Sequence, residues 1–185
     1  MKIPTGALPW SLMAVLEREK TFLARFLPPG LQECRKDDLV DVYVPADALH
    51  PVLRIRKKGG KFEVTKKHPV KDGDASEQRE YSIPLTEAEF NALSKVEGKR
   101  LHKHRYYYSW NGRVAEVDVF LDELKGLVLV DFEFSSRKEK AAFKAPDFCL
   151  VDVTREEFVA GGMLAGKKYS DIEAKLKKFG YARIA

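Results

Sequence analysis

Residues 113–134 read RVAEVDVFLDELKGLVLVDFEF, two runs of period-two alternation on either side of a turn that contains Gly126. That pattern belongs to an antiparallel hairpin. In the first run Glu116 and Asp118 share a face opposite Val117 and Val119. In the second, Asp131 and Glu133 share a face opposite Val130, Phe132 and Phe134. Adjacent strands thus carry four carboxylates on one side and a strongly apolar surface on the other. A single hairpin of this kind is most simply half-buried with an acidic solvated face. What argues against so plain a reading is that other stretches repeat the pattern with both signs of charge.

Residues 52–67, VLRIRKKGGKFEVTKK, set Arg54 and Arg56 against Leu53 and Ile55, turn at Gly59-Gly60 and return with Thr65 and Lys67 on one face. In 79–84, Glu80 and Ser82 oppose Tyr81 and Ile83. In 99–113, Leu101, Lys103 and Arg105 share a face before a turn at Asn111-Gly112, and His102 and His104 lie opposite as ordinary exposed histidines. Residues 15–26, VLEREKTFLARF, group Glu17, Glu19 and Thr21 if they form a strand. The same letters also suit a helical turn with Arg18 and Lys20 solvated. A strand is expected over 39–44, ending at Pro45, and 68–78 reads as a polar loop. Capping boxes at Thr86 with Glu89, Thr154 with Glu157 and Ser170 with Glu173 signal helix starts. The first helix would carry Phe90, Leu93 and Val96 up to Gly98. The last would pack a stripe of Ile172, Leu176 and Phe179 on a sheet, and 135–146 is a charged connection.

With 185 residues, 44% hydrophobic and 33% charged, the chain suffices for one core and one domain, expected over 13–185. Residues 1–12 are expected to be an N-terminal extension without order. The start of the chain, proline-interrupted and running into Glu17-Arg18-Glu19-Lys20, does not read as a signal peptide, and no stretch is long enough to span a bilayer. A net charge of +5 favours an anionic partner. No nucleic-acid partner is expected, because Tyr106, Tyr107 and Tyr108 form the one candidate stacking platform and fit a barrel wall better. Cys34 and Cys149, far apart, fit a reducing compartment, the cytoplasm, with neither disulfide framework nor zinc site.

Alternating strands with a few capped helices make an antiparallel α+β domain. If the apolar faces pack outward against helices, the charged faces must line something, and a sheet curled into a barrel with a charged interior is the economical solution. Such an interior is costly unless its charges are paired or met by ligands. Crowded carboxylates invite divalent cations, and oxygen-only ligand sets favour Mg²⁺ or Mn²⁺ over zinc. Arginine forks grip phosphate oxygens. Acids for metal beside arginine and lysine for phosphate suit a linear polyphosphate.

From about Leu16 onward the chain resembles the CYTH, or triphosphate tunnel metalloenzyme, superfamily. Glu17 and Glu19 match its E-x-E-x-K strand, Arg54 and Arg56 its R-x-R, Thr65 and Lys67 its T-x-K, and Lys103 and Arg105 its K-x-R. Glu116, Asp118 and Phe120 match E-x-D-x-F; Gly126, Leu127, Asp131 and Glu133 match the G-L turn and E-x-E strand, with Asp in the first acidic place. VDVTREEFVAGGMLA resembles the family's closing segment. Thr21 stands where the family has lysine, with the adjacent Lys20 expected to point outward. Gln78 and Ser82 flank Glu80 where alternating glutamates are frequent, and Phe158 and Ala160 replace a common Tyr and Asn.

The resemblance implies an eight-stranded antiparallel β-barrel tunnel with helices packed outside. It also implies Mg²⁺- or Mn²⁺-dependent hydrolysis of a triphosphate, with inorganic tripolyphosphate the first choice. Arg54, Arg56, Lys67, Lys103 and Arg105 would hold the phosphates, and Glu17, Glu19, Glu116, Asp118, Asp131 and Glu133 the metal. Glu17, Glu19, Lys67, Asp131 and Glu133 would be catalytic, with Glu80 a further candidate. Class IV adenylate cyclase and thiamine triphosphatase are the alternatives within the fold; a non-catalytic polyphosphate-binding module is the alternative outside enzymes. A monomer or homodimer without a membrane partner is expected, as is an Arg56→Ala variant that folds but demands far more substrate.

Overall fold

The computed structural model describes residues 15–71 and 74–184. The expected extension 1–12 therefore lies outside the described residues. Among the described residues nine strands appear, β1 (Val15–Ala24), β2 (Lys36–Val44), β3 (Leu53–Lys58), β4 (Lys61–Lys71), β5 (Asp74–Leu85), β6 (Lys99–Trp110), β7 (Arg113–Phe120), β8 (Val128–Glu133) and β9 (Cys149–Asp152). Four helices accompany them, α1 (Glu87–Leu93), α2 (Arg137–Ala142), α3 (Gly161–Leu164) and α4 (Tyr169–Lys178).

The strands run in the order β5-β4-β3-β2-β6-β7-β8-β1-β9, and β1 also pairs with β5. Eight antiparallel strands thus close into a barrel, and β9 adds to the C-terminal end of β1. The closure is made by one long strand used twice. Val15–Arg18 of β1 pair with β5, and Glu19–Leu23 pair with β8, opposing Thr21 to Asp131 and Glu19 to Glu133. The alternative of a helical turn over 15–26 is thereby excluded. At the β6–β7 turn Asn111 (φ +46°) and Gly112 (φ +72°) are both left-handed, as a two-residue hairpin demands and as Asn-Gly supplies.

The inward faces change polarity along their length. On β1 the sequence Leu23, Thr21, Glu19, Glu17 runs from apolar to acidic; on β6 it is Leu101, Lys103, Arg105; on β7 Phe120, Asp118, Glu116; on β8 Leu129, Asp131, Glu133. The apolar ends, Leu23, Leu101, Phe120 and Leu129, join one buried cluster with Leu164 of α3 and Ile172 and Leu176 of α4. Hydrophobic side chains and the last two helices fill one end of the barrel, and the charges line the other. The expected stripe on α4 is real, with Phe179 stacked on Phe158. The outer wall is covered elsewhere. Phe22, Val117, Val130 and Phe132 pack under Phe143 and Phe148, and Phe90 of α1 sits on Val42, Ile55 and Phe62.

Five local expectations need correction. Residues 68–71 and 74–78 are not a polar loop but the outer reach of the β4–β5 ribbon, paired as far as Lys71 with Asp74. The exposed positions there, His68, Pro69 and Val70, have no core face to leave an apolar signature. Helix α1 stops at Leu93, and both Leu93 and Val96 are exposed. Thr154 does not cap a helix, because its hydroxyl accepts from the Thr21 backbone N–H at 3.0 Å. Helix α4 begins one residue before Ser170, with Asp171 accepting from the Lys168 N–H at 2.8 Å. The connection 135–146 contains α2, capped by Ser136. No described helix is long and apolar enough to cross a membrane.

Candidate active site

The charged half of the barrel brings together every residue named above for the site. Lys67 of β4 forms ion pairs with Glu17 of β1 and with Glu80 of β5, the latter at 3.2 Å. Arg54 of β3 reaches Glu80 at 3.3 Å and the Tyr43 hydroxyl at 3.3 Å. Arg105 of β6 gathers three acids from two strands. It pairs with Glu116, donates Nε and Nη2 to Asp118 at 2.6 and 2.7 Å, and reaches Asp131 at 3.2 Å. Lys103 pairs with the same Asp118. Glu19 accepts from Gln78 at 3.3 Å. Glu133 stands at the exposed end of β8, where it feels Glu116, Glu17 and Glu19. Lys20 lies on the outer face with Asp152 at 3.1 Å, and Thr21 points inward, donating its hydroxyl to Asp131 at 2.7 Å.

One residue central to this network escaped the sequence reading. Asp41 of β2, 1% exposed, accepts from both Nε and Nη2 of Arg56, at 2.7 and 2.8 Å. Its signal was a single acid in the apolar run LVDVYV, two places before Tyr43. The histidines also need correction. His102 Nε2 lies 2.8 Å from Asp38 and Nδ1 3.0 Å from Asp122, partners supplied by β2 and by the turn after β7, which spacing along β6 does not reveal.

Burial and charge shift the interior groups in different directions. Burial, and then the carboxylates of Asp118 and Glu19, push Asp131 up to about 7 against the pull of Arg105 and Lys103. Burial and the neighbouring Glu116, Glu17 and Glu19 raise Glu133. On the basic side, burial together with Arg105 and Arg56 lowers Lys103 despite its pair with Asp118. Lys67 is held above its ordinary value, although burial opposes this, by Glu19, Glu17 and Glu80. The lining thus carries both signs in contact, acids mainly from β1, β7 and β8 and cations from β3, β4 and β6, and offers partners to a ligand of either sign. Arg54 carries a sharper sign of this, because its Nε is buried without an acceptor. A buried donor left unmet costs about 1–3 kcal/mol, and a ligand oxygen would relieve it.

The acid set is all oxygen, the chemistry that hard divalent cations select. Among the described residues no three such groups stand close enough together to hold an ion as the side chains lie; Arg105, Lys103 and Lys67 are paired with Glu116, Asp118, Asp131, Glu17 and Glu80. The donors therefore fit Mg²⁺ or Mn²⁺ in kind, and a cation would take them over from the basic residues.

No family model matches the sequence. An inorganic triphosphatase of Nitrosomonas europaea is 33% identical over 145 residues, 76% of this chain and 91% of that protein. One of Acetivibrio thermocellus is 33% identical over 94 residues, 51% of this chain and 59% of that protein. A crystal structure of an inorganic triphosphatase superposes with a TM-score of 0.61 at 29% identity, covering 84% of this chain and 97% of that one. Its near-complete coverage extends the likeness from the motif strands to the whole barrel. With the closed eight-stranded barrel and the two-signed interior, these likenesses establish that the chain belongs to the CYTH, or triphosphate tunnel metalloenzyme, superfamily.

Proposed function

We propose that this chain is a triphosphatase that hydrolyses inorganic tripolyphosphate within the charged half of its barrel, with Mg²⁺ or Mn²⁺ as cofactor. The observation that carries the reading is the buried Arg54 Nε without an acceptor, a donor left over among cations that are otherwise paired with the acids of the barrel interior. The name of the Nitrosomonas relative supports the reaction and the substrate.

Arg54, Arg56, Lys67, Lys103 and Arg105 bind the phosphate chain, the arginines through planar forks and the lysines as point charges. Glu17, Glu19, Glu116, Asp118, Asp131 and Glu133 hold the cation, with Glu80 orienting Arg54 and Lys67. A divalent cation supplies charge neutralisation on the phosphates and activation of the attacking water. Without ligand, bases and acids satisfy each other. With cation and triphosphate both bound, Glu116, Asp118 and Asp131 would hold the cation, and Arg105 and Lys103 would hold phosphate oxygens. Glu17, Glu19, Lys67, Asp131 and Glu133 surround the reacting end, with Lys67 neutralising charge there. All these residues belong to one chain, so the reading serves a monomer or a homodimer. Two free thiols, Cys34 and Cys149, suit the cytoplasm.

The test is phosphate release from tripolyphosphate, ATP and thiamine triphosphate, together with cyclic AMP formation, under Mg²⁺ and under Mn²⁺. Fastest release from tripolyphosphate is expected. Faster thiamine triphosphate turnover, or cyclic AMP from ATP, replaces the substrate by one of the other two chemistries of the fold. Metal-dependent binding with no turnover makes the chain a polyphosphate-binding module instead.

A further inference from the structure

We propose that Asp41 is a positioning residue that sets the orientation of Arg56 for the substrate, an inference that rests on the tripolyphosphate reading of the site. The pair is among the most enclosed charges in the protein, with Asp41 1% and Arg56 7% exposed. Facing strands hold it, Asp41 of β2 being directly opposite Arg56 of β3. The contact is two-pronged, Nε to Oδ1 at 2.7 Å and Nη2 to Oδ2 at 2.8 Å, which fixes the guanidinium plane as well as its place.

A guanidinium has five N–H donors. Asp41 takes one from Nε and one from Nη2, so the Nη1 edge and the second Nη2 hydrogen are left for another acceptor. The arrangement has a counterpart two strands away. Asp118 grips Arg105 through the same two nitrogens, at 2.6 and 2.7 Å. Asp41 differs from Asp118 in its surroundings. Its carboxylate lies in the field of Arg56, Arg54 and Lys103, three of the cations assigned to phosphate. Its position suits holding a phosphate-binding arginine rather than holding metal.

Charge alone and orientation predict opposite outcomes. Removing an acid from a site for a polyanion makes the site more positive and should tighten binding. If Asp41 orients Arg56, its removal weakens binding even though the site gains positive charge. The experiment measures KM and kcat for tripolyphosphate in wild type, Asp41→Asn, Arg56→Ala and the double variant, with thermal denaturation monitored alongside. The expected result is a KM raised about tenfold or more in Asp41→Asn, with kcat changed far less. The same substitution is expected to have no further effect on KM once Arg56 is already alanine. An unchanged or lowered KM in a folded Asp41→Asn, or a full additive effect in the Arg56→Ala background, overturns the positioning role. Should Asp41→Asn not fold, Asp41→Glu decides. It keeps the charge pair and leaves Arg56 in place but displaces the carboxylate that holds the fork, so a raised KM supports orientation and a wild-type KM overturns it. Wild-type protein that neither hydrolyses nor binds tripolyphosphate brings down the reading of the site and this inference with it; wild-type turnover with the wrong response of Asp41→Asn brings down this inference alone.

Discussion

Thr21 and Asp131 face each other across β1 and β8, and the threonine hydroxyl donates to the carboxylate at 2.7 Å. A neutral donor is all that β1 offers this acid. Burial, Asp118 and Glu19 meanwhile push its carboxyl up to about 7. A cation in place of Thr21 would favour the charged form and lower that value. In Thr21→Lys the acidic limb of the kcat/KM profile is therefore expected to move down by about 1 pH unit. The check is a pH–rate profile of both proteins; a limb that stays in place would show that Asp131 does not govern it.

The pair of Arg56 with Asp41 changes the expectation that Arg56→Ala would leave folding intact. Deleting the arginine strands a carboxylate that is 1% exposed, and breaking a buried pair in this way costs about 3–5 kcal/mol. Arg54→Ala is expected to cost much less, because its partner Glu80 retains Lys67 at 3.2 Å. Denaturant melts of the two variants should rank them in that order.

The pair also has a pH signature. Burial would raise the Asp41 carboxyl, but Arg56, Arg54 and Lys103 hold it down at about 2, from an ordinary 3.8. A depressed acid contributes stability that is complete above its unfolded value and lost as pH falls through the folded one. The stability of wild type over Asp41→Asn is thus expected to shrink by about 2 kcal/mol between pH 5 and pH 2. Acid titration of the unfolding free energy measures it.

The barrel was legible because its inward faces alternate. Glu116 with Asp118 and Asp131 with Glu133 stand two apart on strands whose other faces are Val and Phe, so the two-sided environment is written in the letters. Asp41 was not legible, because a lone acid among Leu39, Val40, Val42 and Tyr43 shows its purpose only once Arg56 is placed opposite it. The filled end of the barrel was hidden for a related reason. Leu101 lies on the same face as Lys103 and Arg105, and only the packing of α3 and α4 reveals that this face changes medium along its length. Thr154 carries the letters of a cap, yet its hydroxyl meets an N–H 133 residues away.

His102 makes a second, opposite pH prediction. Both ring nitrogens face carboxylate oxygens, Asp38 at 2.8 Å and Asp122 at 3.0 Å. A neutral imidazole has one donor, so meeting two acceptors requires the protonated ring. Partial burial opposes the charge, but the bonds to Asp38 and Asp122 raise the pKa above 6.5. A raised group stabilises fully below its unfolded pKa, and the gain is lost as pH rises through the folded value. The melting temperature of wild type over His102→Gln is expected to be higher at pH 6 and to converge with it in alkaline solution. With the ring about one-third exposed, solvent screening keeps the difference to a few degrees at most.

Cation binding offers the last check, because it can be read without turnover. Asp131 and Glu133 both lie above their ordinary values, each through burial and then through neighbouring carboxylates, Asp118 and Glu19 for one and Glu116, Glu17 and Glu19 for the other. Acids raised in this way release a proton when a cation arrives and bind it more tightly as pH rises. Mn²⁺ or Mg²⁺ should therefore raise the melting temperature, and more so at pH 8 than at pH 6. At one hundred times the dissociation constant the gain is about 2.7 kcal/mol. Asp131→Asn removes one of these charges while keeping the shape and should lose most of the gain, whereas Asp38→Asn, on the outer face beside His102, should keep it. Equal metal stabilisation in all three proteins would place the cation outside the barrel.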